Sequence, residues 1–360
     1  MMNTQRLEKV LKKMETEGLK QMIISDPYAI YYLTGRFIDP GERLLALYIN
    51  QSGKNKIFIN NLFTVPEDLG VEKFRFSDTD DYLTPLCDCV EAGKPLGIDK
   101  TFAARFLIPV IDHSGASSYK VSSICVDEVR ACKDDEEREK MRAVSAINDK
   151  AMAQFRGLIH EGVTEEEIAS KMLDIYKSLG ADGYSFEPLV GFGANCALGH
   201  HGPDNTVLKE GDTVLFDVGC RKDGYCADMT RTFFYKKVPS EKHRAIYETV
   251  RRANAAAEAI LKPGVPLCEV DKAARQIIED AGYGPNFTHR LGHFIGLEVH
   301  EYGDVSSANT KVAEVGNIFS IEPGIYVEGE VGVRIEDLVL ITEDGCEILN
   351  SFSKELDIVE

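Results

Sequence analysis

GDTVLFDVGCRKDGYCADMTRTFF (residues 211–234) and GNIFSIEPGIYVEGEVGVRIEDLVLI (residues 316–341) carry one design twice. Gly211 lies six residues before Asp217, and Gly316 six before Glu322. Each acid is followed two residues later by a glycine, Gly219 or Gly324. A second acid, Asp228 or Glu336, then opens a further apolar run. Two helical patterns precede each block, so the order helix, helix, strands occurs twice, about 105 residues apart. Such a repeat implies two related halves that face each other with a site between them.

Read as a hairpin turning at Lys222-Asp223, the first block sets Asp217 and Asp228 at equal distances from the turn. Cross-strand partners have Cβ atoms about 4.5–5.5 Å apart. Moving the turn by one residue pairs Asp217 with Thr230 and Asp228 with Gly219 instead. Both acids share a sheet face either way, because strand side chains alternate with period two. Glu322 and Glu336 are likewise equidistant from Gly329. The acids sit in apolar strands: VLFDVG, FSIEPG and VRIEDL. Carboxylates on buried faces repel one another and lose hydration. They are exposed, or paired with arginine, or bound to divalent cations. The flanking residues oppose exposure, and Arg231 and Arg334 are too few for four acids. Cations turn the repulsion into the reason for the site.

The stretch HRLGHFIGLEVHE (289–301) holds three of the eight histidines. A lone histidine is as often a satisfied core residue as a ligand; three in one short segment, in the same half of the chain as these acids, argue for chemistry. Carboxylates with one imidazole suit Mn²⁺ or Co²⁺, with Zn²⁺ a further choice, better than Ca²⁺. One histidine completes the metal shell and the others serve the reaction. Gly292 and Gly296 point to an extended, closely packed segment rather than a helix.

The remainder frames this site. At 360 residues, two domains are the default. Hydrophobic content of 44% and charged content of 28% are those of a soluble globular protein. No apolar run is long enough for a membrane span. The net charge of −18 argues against nucleic acid and anionic membranes as partners. Nine scattered cysteines, an odd count without metal spacing, and no export signal point to reduced thiols in a cytoplasm. Residues 1–127 read as an α/β domain. It opens with an amphipathic helix (Leu7, Val10, Leu11, Met14) and continues with strands QMIIS, LLALYIN, KIFIN and KFRFS and helices near 82–92 and 102–111. Residues 128–360 form the second domain. Its long first helix carries Met141, Val144, Met152 and Phe155 on the buried stripe. Thr164 with Glu167 makes a capping box ahead of Gly180, Ser240 caps a third helix that stops before Pro263-Gly264, and a fourth runs from about 268 to Gly282.

These residues resemble a known superfamily. HRLGHFIGLEVHE is similar to the proline-peptidase signature of creatinases, prolidases, aminopeptidases P and methionine aminopeptidases. The order Asp217, Asp228, His293, Glu322, Glu336 matches as well. YYLTGRFIDPGERLLALYI (31–49) resembles the extra N-terminal domain of prolidases and aminopeptidases P. The resemblance implies an α+β architecture: a pita-bread catalytic domain with internal duplication, holding two metal ions, behind a smaller α/β domain. Asp217 would bind one ion, His293 and Glu322 the other, and Asp228 and Glu336 would bridge them. His200, in ANCALGHHGP, matches the substrate-side histidine. His289 and His300 match the other active-site histidines, and Arg334 an arginine that supports the bridging glutamate. A homodimer is also implied. Gly199 stands where many members have proline, and Phe294 replaces the commoner glycine. Tyr302-Gly303-Asp304 offers no arginine to hold a free dipeptide carboxylate. Arg36 and Arg43 are candidates for that task if the N-terminal domain overhangs the site.

The expected reaction is cleavage of the bond before proline in Xaa-Pro dipeptides, by attack of a hydroxide bridging the two ions. Glu322 would shuttle its proton to the leaving nitrogen. His300 and His200 would donate to the developing oxyanion or hold the substrate. An aminopeptidase P-like enzyme acting on longer peptides is the alternative. An inactive peptide-binding member, or creatine hydrolysis without metal, is disfavoured because all five ligands are present.

Overall fold

The computed structural model describes residues 1–199 and 201–360. The chain divides into two compact units, Met1–Arg130 and Ala131–Glu360. In the first, six strands form one sheet in the order Glu72–Phe76, Lys56–Asn60, Leu45–Asn50, Gln21–Ile24, Pro95–Ile98, Ser118–Val121. The last two are weak strands in sequence. One opens with proline, and the other is an edge strand with three of its four residues exposed. Helices Thr4–Thr16, Leu83–Cys89 and Ala104–His113 occupy the segments whose periodicity is helical. Tyr31 to Thr34 belong to a further helix, Pro27–Thr34, capped by the Asp26 carboxylate.

In the second unit, α1 (Asp135–Arg156) and α2 (Glu165–Ser178) precede β1 (Leu189–Phe192), β2 (Thr213–Val218) and β3 (Met229–Tyr235). Helices α3 (Glu241–Ala259) and α4 (Leu267–Asp280) precede β4 (Gly292–Phe294), β5 (Glu301–Val305), β6 (Ile318–Ile321), β7 (Gly324–Val327), β8 (Val331–Arg334) and β9 (Asp337–Ile341). Capping boxes at Asp134/Glu137 and Thr164/Glu167 start α1 and α2, and the Ser240 hydroxyl caps α3. Met141, Val144, Met152 and Phe155 are fully buried on α1.

The duplication extends to single hydrogen bonds. Gly211 and Gly316 have φ of +89° and +90°. Their N–H groups donate to Tyr235 O and Ile341 O, both at 2.9 Å. Asp212 accepts from Lys209 N at 2.8 Å, and Asn317 from Glu314 N at 2.8 Å. Asn148 of α1 donates to Val218 O at 3.1 Å and Asn254 of α3 to Ile321 O at 3.0 Å, so each long helix pins an acid-bearing strand through a buried amide. The halves meet where Glu336 N donates to Thr230 O at 3.1 Å and Arg231 Nη1 donates to Glu336 O at 2.7 Å.

The hairpins fix where the acids lie. In the first, Asp217 pairs with Thr230, and Lys222 with Tyr225. A direct Asp217–Asp228 pair does not form. The turn is centred on Asp223-Gly224, whose φ values of +49° and +85° suit a two-residue hairpin loop. The Lys222-Asp223 centre is therefore corrected by one residue, and Asp228 falls opposite Gly219. In the second hairpin, Ile321 pairs with Asp337 and Gly324 with Arg334. The same register sets Glu322 opposite Glu336.

Candidate metal centre

Asp228, His293 and Glu336 are buried and bring one ligand atom each to within 4.8 Å of the others. His293 Nε2 lies 3.6 Å from Asp228 Oδ2, 3.6 Å from Glu322 Oε1 and 4.0 Å from Glu336 Oε1. These spans are too long for hydrogen bonds. The other ring nitrogen, Nδ1, is 3.3 Å from Phe294 O. A carbonyl only accepts, so Nδ1 carries the proton and the Nε2 lone pair faces the carboxylates. Burial, with His300 beside it, lowers the His293 pKa to about 3, so the ring is neutral. An outer hydrogen bond that fixes the tautomer and aims the free nitrogen is the usual support of a metal-binding imidazole.

The carboxylates are short of cations. Burial, then Glu336, Asp217 and Glu322, pushes Asp228 well above the usual range, and its Oδ1 has no hydrogen-bond partner among the described residues. Burial and the charges of Glu322 and Asp217 do the same to Glu336. Burial raises Glu322 to about 7. Arg231 does not help. Its guanidinium is held by Asp337 at 2.7 Å and by carbonyls of the C-terminal segment. A divalent ion satisfies the orphaned oxygen, the free lone pair and the uncompensated charge at once, so the donor set fits the group.

Arg334 reaches the acids differently from the expectation. Its Nη2 donates to Asp217 Oδ2 at 2.6 Å, and its Nε to Thr230 Oγ1 at 3.1 Å. Thr230 in turn donates to Glu336 at 2.7 Å. The side chain contacts Asp217 directly and reaches Glu336 by hydrogen bonds through Thr230, because the two-residue offset of the first hairpin's pairing puts Thr230 opposite Asp217. Nη1 donates to the Tyr326 hydroxyl at 2.8 Å, and Tyr326 donates to His289 Nε2 at 2.9 Å. His289 Nδ1 donates to Arg290 O at 2.7 Å, so both its nitrogens are engaged. Burial and Arg334 bring His289 to a pKa of about 4, again a neutral ring. His300 packs edge-on against His293, ring centres 4.1 Å apart, and its pKa is lowered by burial and then by Arg290. His200 lies outside the described residues. Arg36 and Arg43 engage Thr64 O and Asp78 within their own unit.

Thr230, Tyr326 and Arg290 thus join the site without standing out in the sequence as candidates. Tyr326 lies inside the second block, and Arg290 is the exposed cation of the histidine segment. A further acid–histidine group, Glu165, His201 and Asp204, is also brought together. There Glu165 accepts from His201 at 2.5 Å, Phe192 N at 2.7 Å, Asn195 at 3.0 Å and Asp204 N at 3.2 Å. That carboxylate is satisfied and serves to pin the loop after β1.

A duplicated domain whose halves bring carboxylates together, with an imidazole lone pair facing them, is the architecture of a metal-dependent enzyme. The chain belongs to metallopeptidase family M24, whose description matches residues 139–343. The creatinase/prolidase N-terminal domain matches residues 6–132. The fold is that of the prolidases: the N-terminal α/β domain followed by a pita-bread domain. The chain is 36% identical to an uncharacterized peptidase of Staphylococcus saprophyticus over 97% of its own length and all of the relative. A dipeptidase from Pyrococcus horikoshii superposes with a TM-score of 0.91 at 33% identity, over 98% of this chain and 100% of that one. A prolidase from Thermococcus sibiricus gives 0.92 at 32% identity, with both chains covered in full. The protein is a metallopeptidase, and the family implies divalent ions. Among the described residues no helix is long and apolar enough to cross a membrane.

Proposed function

We propose that this chain is an Xaa-Pro dipeptidase that uses two divalent ions, with Mn²⁺ the best match and Co²⁺ or Zn²⁺ as alternatives. The observation that carries the reading is the convergence of the neutral His293 lone pair on Asp228, Glu322 and Glu336. The likeness to a dipeptidase and a prolidase supports it. Asp217 would hold one ion, His293 and Glu322 the other, with Asp228 and Glu336 shared. The bound ions supply Lewis acidity for the scissile carbonyl and lower the pKa of an attacking water.

The chain's own groups do the rest. Glu322, ionised once the ions are bound, takes a proton from the water and delivers it to the leaving nitrogen. His300, neutral and at the mouth of the site, donates to the oxyanion, a task shared with His200. His289, with both nitrogens engaged, holds Tyr326 and through it Arg334, which holds Asp217 in place. Proline's nitrogen carries no N–H, so the pocket selects by shape rather than by a hydrogen bond to the leaving group. Arg290, exposed and close enough to act on His293, His300 and Glu322, is a candidate cation for the free carboxylate of a dipeptide. The working form is a cytoplasmic homodimer.

A second reading, an aminopeptidase P-like enzyme for longer peptides, is favoured by Asp304, which stands after the signature where a cation would anchor a dipeptide and instead accepts from Ser306 at 2.7 Å. The discriminating measurement is kcat/KM for Ala-Pro against Ala-Pro-Ala with the same metal. Preference for the dipeptide is expected. A tripeptide value tenfold higher, about 1.4 kcal/mol of transition-state binding, establishes the second reading.

A further inference from the structure

Lys133 and Glu301 stand 168 positions apart in the chain, and their side chains meet at 2.8 Å. Both are almost sealed from solvent, with side-chain exposures of 1% and 4%. The other carboxylate oxygen of Glu301 accepts the Leu297 N–H at 2.9 Å. Glu301 follows His300 directly. It also stands opposite Phe294, where the ladder is irregular between His293 and Phe294. The pair therefore closes the turn 296–301, which carries His300 against His293. Lys133 approaches from a fixed backbone: its N–H donates to Gly316 O at 2.8 Å, and its carbonyl accepts from Arg138 Nε at 2.9 Å.

Room is reserved for this contact. A methyl group on Gly296 would lie 2.8 and 2.9 Å from the two Glu301 oxygens and 2.9 Å from Lys133 Cε. Stability alone is a weak reason for such a pair, since apolar residues of similar volume often serve a fold as well or better. What charges held at a fixed distance do provide is a single geometry for the turn.

We infer that the Lys133–Glu301 ion pair is a positioning device for His300, holding the imidazole against His293 at the mouth of the site. This rests on His300 being a substrate-contacting donor, as proposed above. Displacing a reacting or donating group by about 1 Å can cost about 10²-fold in rate.

The test is a double-mutant cycle on the metal-loaded enzyme, with Ala-Pro as substrate. His300→Ala and Glu301→Gln are each expected to lower kcat by about 10²-fold, with metal content unchanged. The double variant should be no slower than His300→Ala, because Glu301 acts only through that ring. Should Glu301→Gln fold poorly, Lys133→Met/Glu301→Gln, which removes both charges, takes its place in the cycle. That pair should melt near the wild type yet stay slow. A Glu301 variant within twofold of the wild type, or losses that multiply in the double variant, overturns the inference alone. Full turnover by His300→Ala overturns the reading of His300 and the inference with it.

Discussion

The two hairpins of the catalytic unit share a design and differ by two residues in how their acids pair. In the second, Glu322 faces Glu336 directly. In the first, Asp217 faces Thr230 and Asp228 faces Gly219. The stagger has an electrostatic consequence. Asp217 comes within 2.6 Å of Arg334, a residue of the other half. Asp228 is left among acids, with an oxygen unpartnered among the described residues and its carboxyl pushed strongly upward. A duplicated backbone thus builds an asymmetric centre, with Asp217 ion-paired to Arg334 and Asp228, Glu322 and Glu336 gathered around His293.

The largest effect should come from the acid that touches both halves. Glu336→Ala is expected to remove metal and activity together, with a loss of about 10³-fold or more, because metal ions supply several kcal/mol of charge stabilisation. Metal analysis and kcat/KM measure it. Retention of both ions would break the comparison, since Glu336 would then be no more than a strand acid.

Arg334→Lys tests the compensated acid. Lysine keeps the charge but cannot contact Asp217, Thr230 and Tyr326 together. Substitutions behind a metal ligand typically cost about 10–100-fold in affinity or rate. A loss in this range, with the fold intact by circular dichroism, is expected. Wild-type metal affinity and rate would show that Asp217 needs no guanidinium.

The third effect, a shift in stability with pH, is the smallest. In protein stripped of metal, Glu322 sits at about 7, above its ordinary 4.5, because of burial. Asp228 and Glu336 are shifted in the same direction. A carboxyl raised on folding favours the folded state while protonated. Its contribution is complete below about 4.5 and is lost as pH rises through about 7. Bound divalent ions reverse this, because they need the ionised form. The gap in melting temperature between metal-loaded and chelated protein should therefore widen from pH 5 to pH 8. A gap that does not change with pH would refute the account.

Much of this was legible along the chain. The capping boxes at Asp134 and Thr164, the paired glycines before Asp217 and Glu322, and the alternating strands are local patterns. Each depends on neighbours a few residues away, which is where helix caps and sheet faces are decided. The strands Pro95–Ile98 and Ser118–Val121 were harder to see, because proline and an exposed edge position weaken the periodic signal.

The sequence by itself determined that four acids sit in apolar strands of two related blocks, with a histidine-rich segment between those blocks. That followed from spacing, since side chains two apart fall on one face whatever the rest of the chain does. Tertiary structure alone decided which acid meets a cation. A turn centred on Asp223-Gly224 moved the pairing of the first hairpin by two residues. Arg334 then found Asp217 across 117 positions and Thr230 across 104. The Lys133–Glu301 pair, the Tyr326 link and the free lone pair of His293 are of the same kind. They depend on contacts between segments far apart in sequence, and no periodicity in either segment records its partner.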